Sequence, residues 1–557
     1  MATGFDSNEF TRSGLAGRRP EASIESLNRI FTVPESDQST LGNIERAISQ
    51  NLQDFLNKHV VAGDMEPAEL ENDFLDTKIP DDPIYVSEQA EFLLNKVVAQ
   101  SVHVSAPTFI GHMTSAIPYF MLPLSKVMIA LNQNLVKIET SKAFTPLEKQ
   151  VVGMMHRLIY QRDDQFYSTH THSRTHSLGA FCSGGTIANL TALWAARNQR
   201  FAARGKFKGI RRDGLFAALK EYGYSGVRIF ISERGHYSFR KAVDLLGFGH
   251  DALIPVKTDA NDRIDLTALD IECQRADKDG ALVLAIIGVA GTTETGSVDD
   301  LNALAERARA RKCWFHVDAA WGGATLFSER YSQLLSGIDV ADSVTIDAHK
   351  QLYVPMGAGM VLFRDQASLK NIEHSANYVI REGSRDIGKH TLEGSRSGMA
   401  LLVHSGLRVM GRKGYGLLID IGIEKVKTFA RMIKGEPDFE LISEPQLNLL
   451  TYRYVPQEIQ SKLMSLTDAK RNEVLKELNA LTISIQKQQR ADGKSFVSRT
   501  TLKPQKYQRH ETIVFRVVLA NPLTTEKHLR AVLDEQRVLG QKIFATDHAR
   551  KLEAILG

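Results

Sequence analysis

Between Leu178 and Phe363 the chain repeats one arrangement: a short apolar run, a cluster of small and polar residues, then a helical stretch. Gly179–Cys182 runs into Ser183-Gly184-Gly185-Thr186, and Val227–Ile231 into Ser232-Glu233-Arg234-Gly235-His236. Leu282–Val289 is followed by Gly291-Thr292-Thr293, Trp314–Val317 by Asp318, and Val344–Ile346 by Asp347-Ala348-His349-Lys350. Met360–Phe363 supplies one more strand. The alternation of these apolar runs with helices predicts an open α/β sheet. Such sheets gather ligands at the carboxyl ends of their strands, where every one of these polar clusters falls.

The flanking regions differ. Residues 1–104 read as a polar tail and a helical arm, with helical spacing at Ile44, Ile48, Leu52 and Phe55 and again through Phe92–Val98. Residues 105–404 form the expected large domain, and residues 405–557 a smaller α+β domain with strands at Leu449–Tyr454 and Thr512–Leu519. A formal charge of +4 spread along 557 residues gives no footprint for nucleic acid. No apolar run reaches the roughly 18 residues that span a bilayer. The start lacks the apolar core of a signal peptide, and three scattered cysteines imply neither a disulfide framework nor a metal site, so a cytoplasmic protein is expected. His170, His172 and His176 follow Asp163 and Asp164, but their spacing matches no metal motif and reads as a solvated loop.

Each cluster has a plain reading and a chemical one. Ser183–Thr186 is either a tight turn before a helix or an anion cradle, in which Gly184 and Gly185 clear the approach to free backbone N–H groups. Asp318 either caps the next helix or pairs with a cationic ring nitrogen. His236 is either a hydrogen-bonded core histidine or a ring stacker. Lys350 is a solvated loop charge or an amine kept neutral by desolvation, the form that condenses with an aldehyde. Taken together they supply the four contacts that pyridoxal phosphate requires.

These motifs, in this order, resemble the group II pyridoxal-phosphate-dependent amino-acid decarboxylases, the family of glutamate, cysteine-sulfinate and aromatic amino-acid decarboxylases. The resemblance runs from about Ser105 into the C-terminal domain. It implies the fold type I architecture of pyridoxal-phosphate enzymes: a mostly parallel seven-stranded sheet, a small C-terminal domain, a helical N-terminal arm and an obligate homodimer. It further implies that Lys350 binds pyridoxal 5'-phosphate covalently, that Asp318 holds the ring nitrogen, and that His236 stacks on the ring. Gly185, Thr186 and His349 would hold the phosphate, with Thr292 or Thr293 beside the ring. Many relatives protonate the product from a loop tyrosine. Here the corresponding region has only Tyr378, early in it, which leaves His390, Tyr353 or a water as alternatives.

The stretches Ile110–Ser115, 132–143 and Thr391–Arg396 look closest to the bacterial aspartate 1-decarboxylase branch, whose product, β-alanine, is a pantothenate precursor. A second substrate carboxylate calls for a cation. Arg396 is the candidate, against a structural ion pair, and His112 and Ser115 are candidate neighbours. Glutamate and cysteine sulfinate remain open, because one methylene discriminates by only about 1–3 kcal/mol. A pseudoenzyme scaffold is the reading outside catalysis; the presence of both Lys350 and Asp318 argues against it.

Overall fold

The computed structural model describes residues 40–58, 61–63, 65–375 and 384–556. Its centre is a seven-stranded sheet in the order β1-β7-β6-β5-β4-β2-β3. The strands are β1 (Gly179–Cys182), β2 (Val227–Ser232), β3 (Leu253–Val256), β4 (Leu282–Val289), β5 (Trp314–Asp318), β6 (Ser343–Asp347) and β7 (Gly359–Phe363). Only β7 runs antiparallel, to both β1 and β6; the other neighbours are parallel. All eight residues of β4 are buried. Ile286 enters the core on one face of the sheet, while Ala285 and Ile287 enter the core on the other. A strand that must satisfy two cores has no room for polar alternation, which is why these strands stand out in the sequence. The short β3, two of whose four residues are only half-buried and one exposed, escaped the sequence reading.

Five helices frame the rest: α1 (Thr40–Lys58), α2 (Met121–Leu131), α3 (Phe144–Tyr160), α4 (Gly185–Arg200) and α5 (Ala400–Lys434). α1 falls within the stretch expected as a helical arm; the part of that stretch before residue 40 lies outside the described residues. The small domain is a four-stranded antiparallel sheet in the order β10-β11-β9-β8, from β8 (Phe439–Ser443), β9 (Leu449–Tyr454), β10 (Ser498–Leu502) and β11 (Thr512–Val518). α6 (Asp468–Asp492) and α7 (Glu526–Ile543) cover it.

The expected division at 404/405 falls inside α5. Leu402, Val403, Leu407, Tyr415, Ile419 and Ile423 pack into the large core, whereas Val426, Phe429 and Ile433 pack into the small one. One helix thus serves both cores, bending where Gly411 takes φ 64°. The division at 104/105 shifts too. Phe109 bridges Phe496, Ile110 N–H donates to Phe496 O (3.0 Å), and Val518 N–H donates to Ile110 O (2.7 Å), so this segment joins the small sheet.

Candidate active site

At the carboxyl ends of the large sheet's strands lies a cavity of about 600 Å³, whose lining includes Arg516 from the small domain. Gly185, Thr186, His236, Thr293, Asp318, His349, Lys350 and His112 all line it. Sequence positions 165 residues apart are gathered because parallel strands deliver all their following loops to one edge of the sheet.

The turn after β1 leads straight into α4, so backbone N–H groups at the helix start open on the cavity. A Cβ on Gly185 would come within 2.9 Å of Asp347 Oδ2, which only glycine avoids. His349 Nδ1 donates to Ala358 O (2.8 Å), leaving Nε2 turned toward the same end, 3.7 Å from Asp347. Glu393 Oε2 accepts from Ser183 N–H (3.0 Å), tying the Thr391–Arg396 stretch to the turn.

Lys350 follows β6 as expected and comes with a partner that the sequence reading did not include. Its Nζ is 3.1 Å from Asp347 Oδ2, while Oδ1 of the same carboxylate is buried without a hydrogen-bond partner. Asp318 ends β5 and is held at both oxygens: Ala320 N–H donates to Oδ1 (3.1 Å) and Asn189 Nδ2 to Oδ2 (3.1 Å). His236 contacts Ser238 Oγ through Nδ1 (2.8 Å), and burial lowers its pKa. Burial, and then the cations Arg516 and Lys350, lower that of His112.

Four expectations are corrected. Arg396 is committed elsewhere: it forms a bidentate pair with Glu148 (2.7 and 3.0 Å), both side chains being almost fully buried, and it does not line the cavity. Thr292 is turned away, its hydroxyl within hydrogen-bonding distance of Thr295 and Ser297 (2.8 and 2.9 Å). Ser115 stands outside the lining, with its Oγ buried and unpartnered. Neither alternative proton donor reaches the cavity. Tyr353 donates its hydroxyl to Ala520 O (2.9 Å), and His390 is buried beside Lys149 and Lys389 with its pKa held down to about 4 by desolvation. Tyr378 lies outside the described residues.

Two arginines were missed. Arg516, in β11, reaches the cavity from the small domain; its Nε donates to Thr293 O (2.5 Å), its Nη1 to Gly111 O (3.1 Å), and Nη2 has no partner. Burial lowers its pKa to about 10. A charged residue inside Ile513-Val514-Phe515-Arg516-Val517-Val518 was the available signal. Arg234 also lines the cavity and faces Asp262 at 3.4 Å. Asn189, likewise unforeseen, is a polar residue in an otherwise apolar helix turn. Among the described residues, no group of three or more His, Cys, Asp or Glu side chains is placed to hold a metal ion.

The set fits pyridoxal phosphate: an anion cradle at a helix start, a carboxylate fixed at a strand end, an imidazole and a lysine share one cavity of adequate size. Comparisons with known proteins agree. Residues 67–455 match the pyridoxal-dependent decarboxylase conserved domain. The chain is 60% identical over 517 residues to aspartate 1-decarboxylase of Aliivibrio fischeri (strain ATCC 700601 / ES114), covering 93% of this chain and 94% of that protein. It is 27% identical over 456 residues to cysteine sulfinic acid decarboxylase of Mus musculus, covering 80% of this chain and 85% of that one. Among solved structures, mouse CSAD superposes with a TM-score of 0.76 at 24% identity, covering 89% of this chain and 98% of that one. Oryza sativa TDC with PLP and tryptamine gives 0.77 at 18%, covering 92% and 100%; these two likenesses speak to the fold. The chain therefore belongs to the pyridoxal-dependent decarboxylases, carboxy-lyases whose cofactor is pyridoxal 5'-phosphate.

Proposed function

We propose that this enzyme removes the 1-carboxylate of L-aspartate, releasing carbon dioxide and β-alanine. The observation that carries the reading is the 60% identity, sustained over nearly the whole of both chains, to an aspartate 1-decarboxylase. Arg516 supports it, since a dicarboxylate substrate needs a buried cation and this guanidinium lines the cavity.

Bound pyridoxal phosphate supplies an aldehyde for an amine and a ring that accepts the electron pair left when carbon dioxide departs. Lys350 is the amine that would hold the cofactor's aldehyde and would be freed when a substrate amine binds. Asp318, fixed at both oxygens, is the carboxylate that would pair with the ring nitrogen and favour its protonated, electron-withdrawing form. His236 would lie against the ring face, and the Gly185–Thr186 turn with His349 would hold the phosphate. Arg516 binds substrate carboxylate across the cavity. The cavity's other proton-bearing groups, His112 and Lys350 foremost, are the candidates to return a proton to the substrate carbon.

The working form is a homodimer. Leu122 and Ile129 on α2 and Val409, Leu417 and Ile421 on α5 are exposed by between 48 and 68%, and the two helices pack together, presenting apolar surface suited to a second copy. No helix among the described residues is long and apolar enough to cross a membrane. Free thiols at Cys182, Cys273 and Cys313 suit a reducing compartment such as the cytoplasm.

The test offers L-aspartate, L-glutamate and L-cysteine sulfinate separately to the purified holoenzyme and quantifies each amine. β-Alanine as the dominant product is expected. Faster turnover of either other substrate would overturn the aspartate reading and leave the decarboxylase intact.

A further inference from the structure

Asn189 is 1% exposed, in the second turn of α4, and touches neither bulk solvent nor the sheet's apolar core alone. Its Nδ2 donates to Asp318 Oδ2 (3.1 Å) and to Ser238 Oγ (3.2 Å), and its Oδ1 lies 3.0 Å from His316 Nε2. His316 Nδ1 meets Ser343 Oγ at 2.8 Å, and Trp314 Nε1 donates to that same hydroxyl (2.8 Å). Ser238 Oγ continues to His236 Nδ1 (2.8 Å).

The direction of this chain follows from donor chemistry. The indole N–H can only donate, and the Asp318 carboxylate can only accept. Turning the Asn189 amide over would put oxygen against carboxylate oxygen, so its N–H groups must face Asp318 and Ser238. Its oxygen then requires a proton on His316 Nε2. Burial, which lowers the His316 pKa to about 4, keeps that ring neutral with Nδ1 free to accept from Ser343. Ser238 in turn accepts from Asn189 and donates to His236 Nδ1, which leaves the His236 proton on Nε2.

We propose that Asn189 is a positioning residue that holds Asp318 and His236 together in the orientations pyridoxal phosphate needs, through a one-way donor chain anchored at Trp314. The two groups that would grip the cofactor ring, one at its nitrogen and one on its face, are set by a single amide. The inference rests on the cofactor and is independent of which amino acid is decarboxylated.

The test titrates the cofactor-free protein with pyridoxal phosphate, reading affinity from the cofactor's absorbance between pH 5.5 and 8.5. Asn189→Asp keeps size and the His316 contact but sets a second carboxylate against Asp318. Two carboxylates this close cannot both ionise freely, and a shared proton restores a donor. The other titratable groups at this end of the cavity (Lys350, Asp347, His236 and His316) are common to both proteins, so the reading is the ratio of variant to wild-type dissociation constants. That ratio is expected to exceed tenfold at pH 8.5 and to shrink toward pH 5.5. A ratio near one, or one constant with pH, as general damage to the fold would give, overturns the proposal. In the unaltered cofactor-free protein, nitrogen NMR of labelled histidines is expected to show His316 protonated at Nε2 at neutral pH. A proton at Nδ1 would overturn the chain's direction, whatever the variant does.

Discussion

The two sheets contribute to one cavity by opposite means. The large sheet delivers its groups at or just past the ends of buried strands, so each functional residue stands at the rim: Asp318 as the last residue of β5, the others beyond their strands. The small sheet contributes Arg516 from the middle of β11, a strand residue projecting from the sheet itself. The first arrangement lets loops carry chemistry without disturbing the core. The second ties the proposed substrate contact to the packing of a whole domain, so that recognition would depend on how the small sheet is seated.

If this division of labour holds, changes on the large sheet's rim stop the chemistry and changes on β11 weaken binding. Lys350→Ala is expected to remove the covalent cofactor absorbance band and reduce decarboxylation to background; a persisting band would break the comparison at its strongest point. Asp318→Ala should retain some cofactor while turnover falls by about 10²–10³, the scale of losing one preorganised electrostatic partner. Near-normal turnover would refute its role. Arg516→Gln should act mainly on KM for aspartate, raising it by about 10–100-fold, since a hydrogen bond to a charged group is worth about 1.5–3 kcal/mol. A fall in kcat alone would erase the distinction between the sheets.

Arg396 sharpens the contrast from outside the cavity. Arg396→Met strands the buried Glu148 carboxylate and is expected to lower unfolding stability by about 3–5 kcal/mol, as measured by denaturant midpoint, with KM unchanged in the folded fraction. Adding Glu148→Leu should recover most of that loss. A last effect concerns pH. Burial holds His316 and His156 down to about 4. Between pH 6.5 and 4 the unfolded chain binds protons that the folded one refuses, so their contribution is complete above pH 6.5 and is lost as pH falls. Replacing His316 with Gln should flatten this slope by up to about 3 kcal/mol across the window.

The same contrast explains what was legible in the sequence. The parallel strands were visible because burial on both faces suppresses polar alternation, and the rim residues because they follow at once. Asp318, His236, Lys350 and the glycine turn needed no knowledge of the third dimension. Arg516 did, since a mid-strand arginine looks the same whether it faces solvent, a counter-ion or a cavity. Arg396 misled for the opposite reason: it sits in a distinctive motif whose partner, Glu148, is 248 residues earlier on α3. Asn189 was hidden because its three partners come from the start of the helix after β2 and from β5. Thr292 and Thr293 could not be told apart without knowing which neighbour faces inward.

The pairing of residues 109–111 with the small sheet gives the order of synthesis a consequence. The large sheet's last strand, β7, has been made by Phe363, but the wall carrying His112 docks on β10 and β11, whose Arg516 holds Gly111 O. That partner leaves the ribosome on the order of 150 residues later, roughly 10–30 s at ordinary elongation rates. Until then the nascent chain carries its lysine, its aspartate and its glycine turn, while the small-domain side of the cavity has still to be made. A cofactor that binds during that interval would meet an exposed site, and the pocket closes only as the last domain is translated.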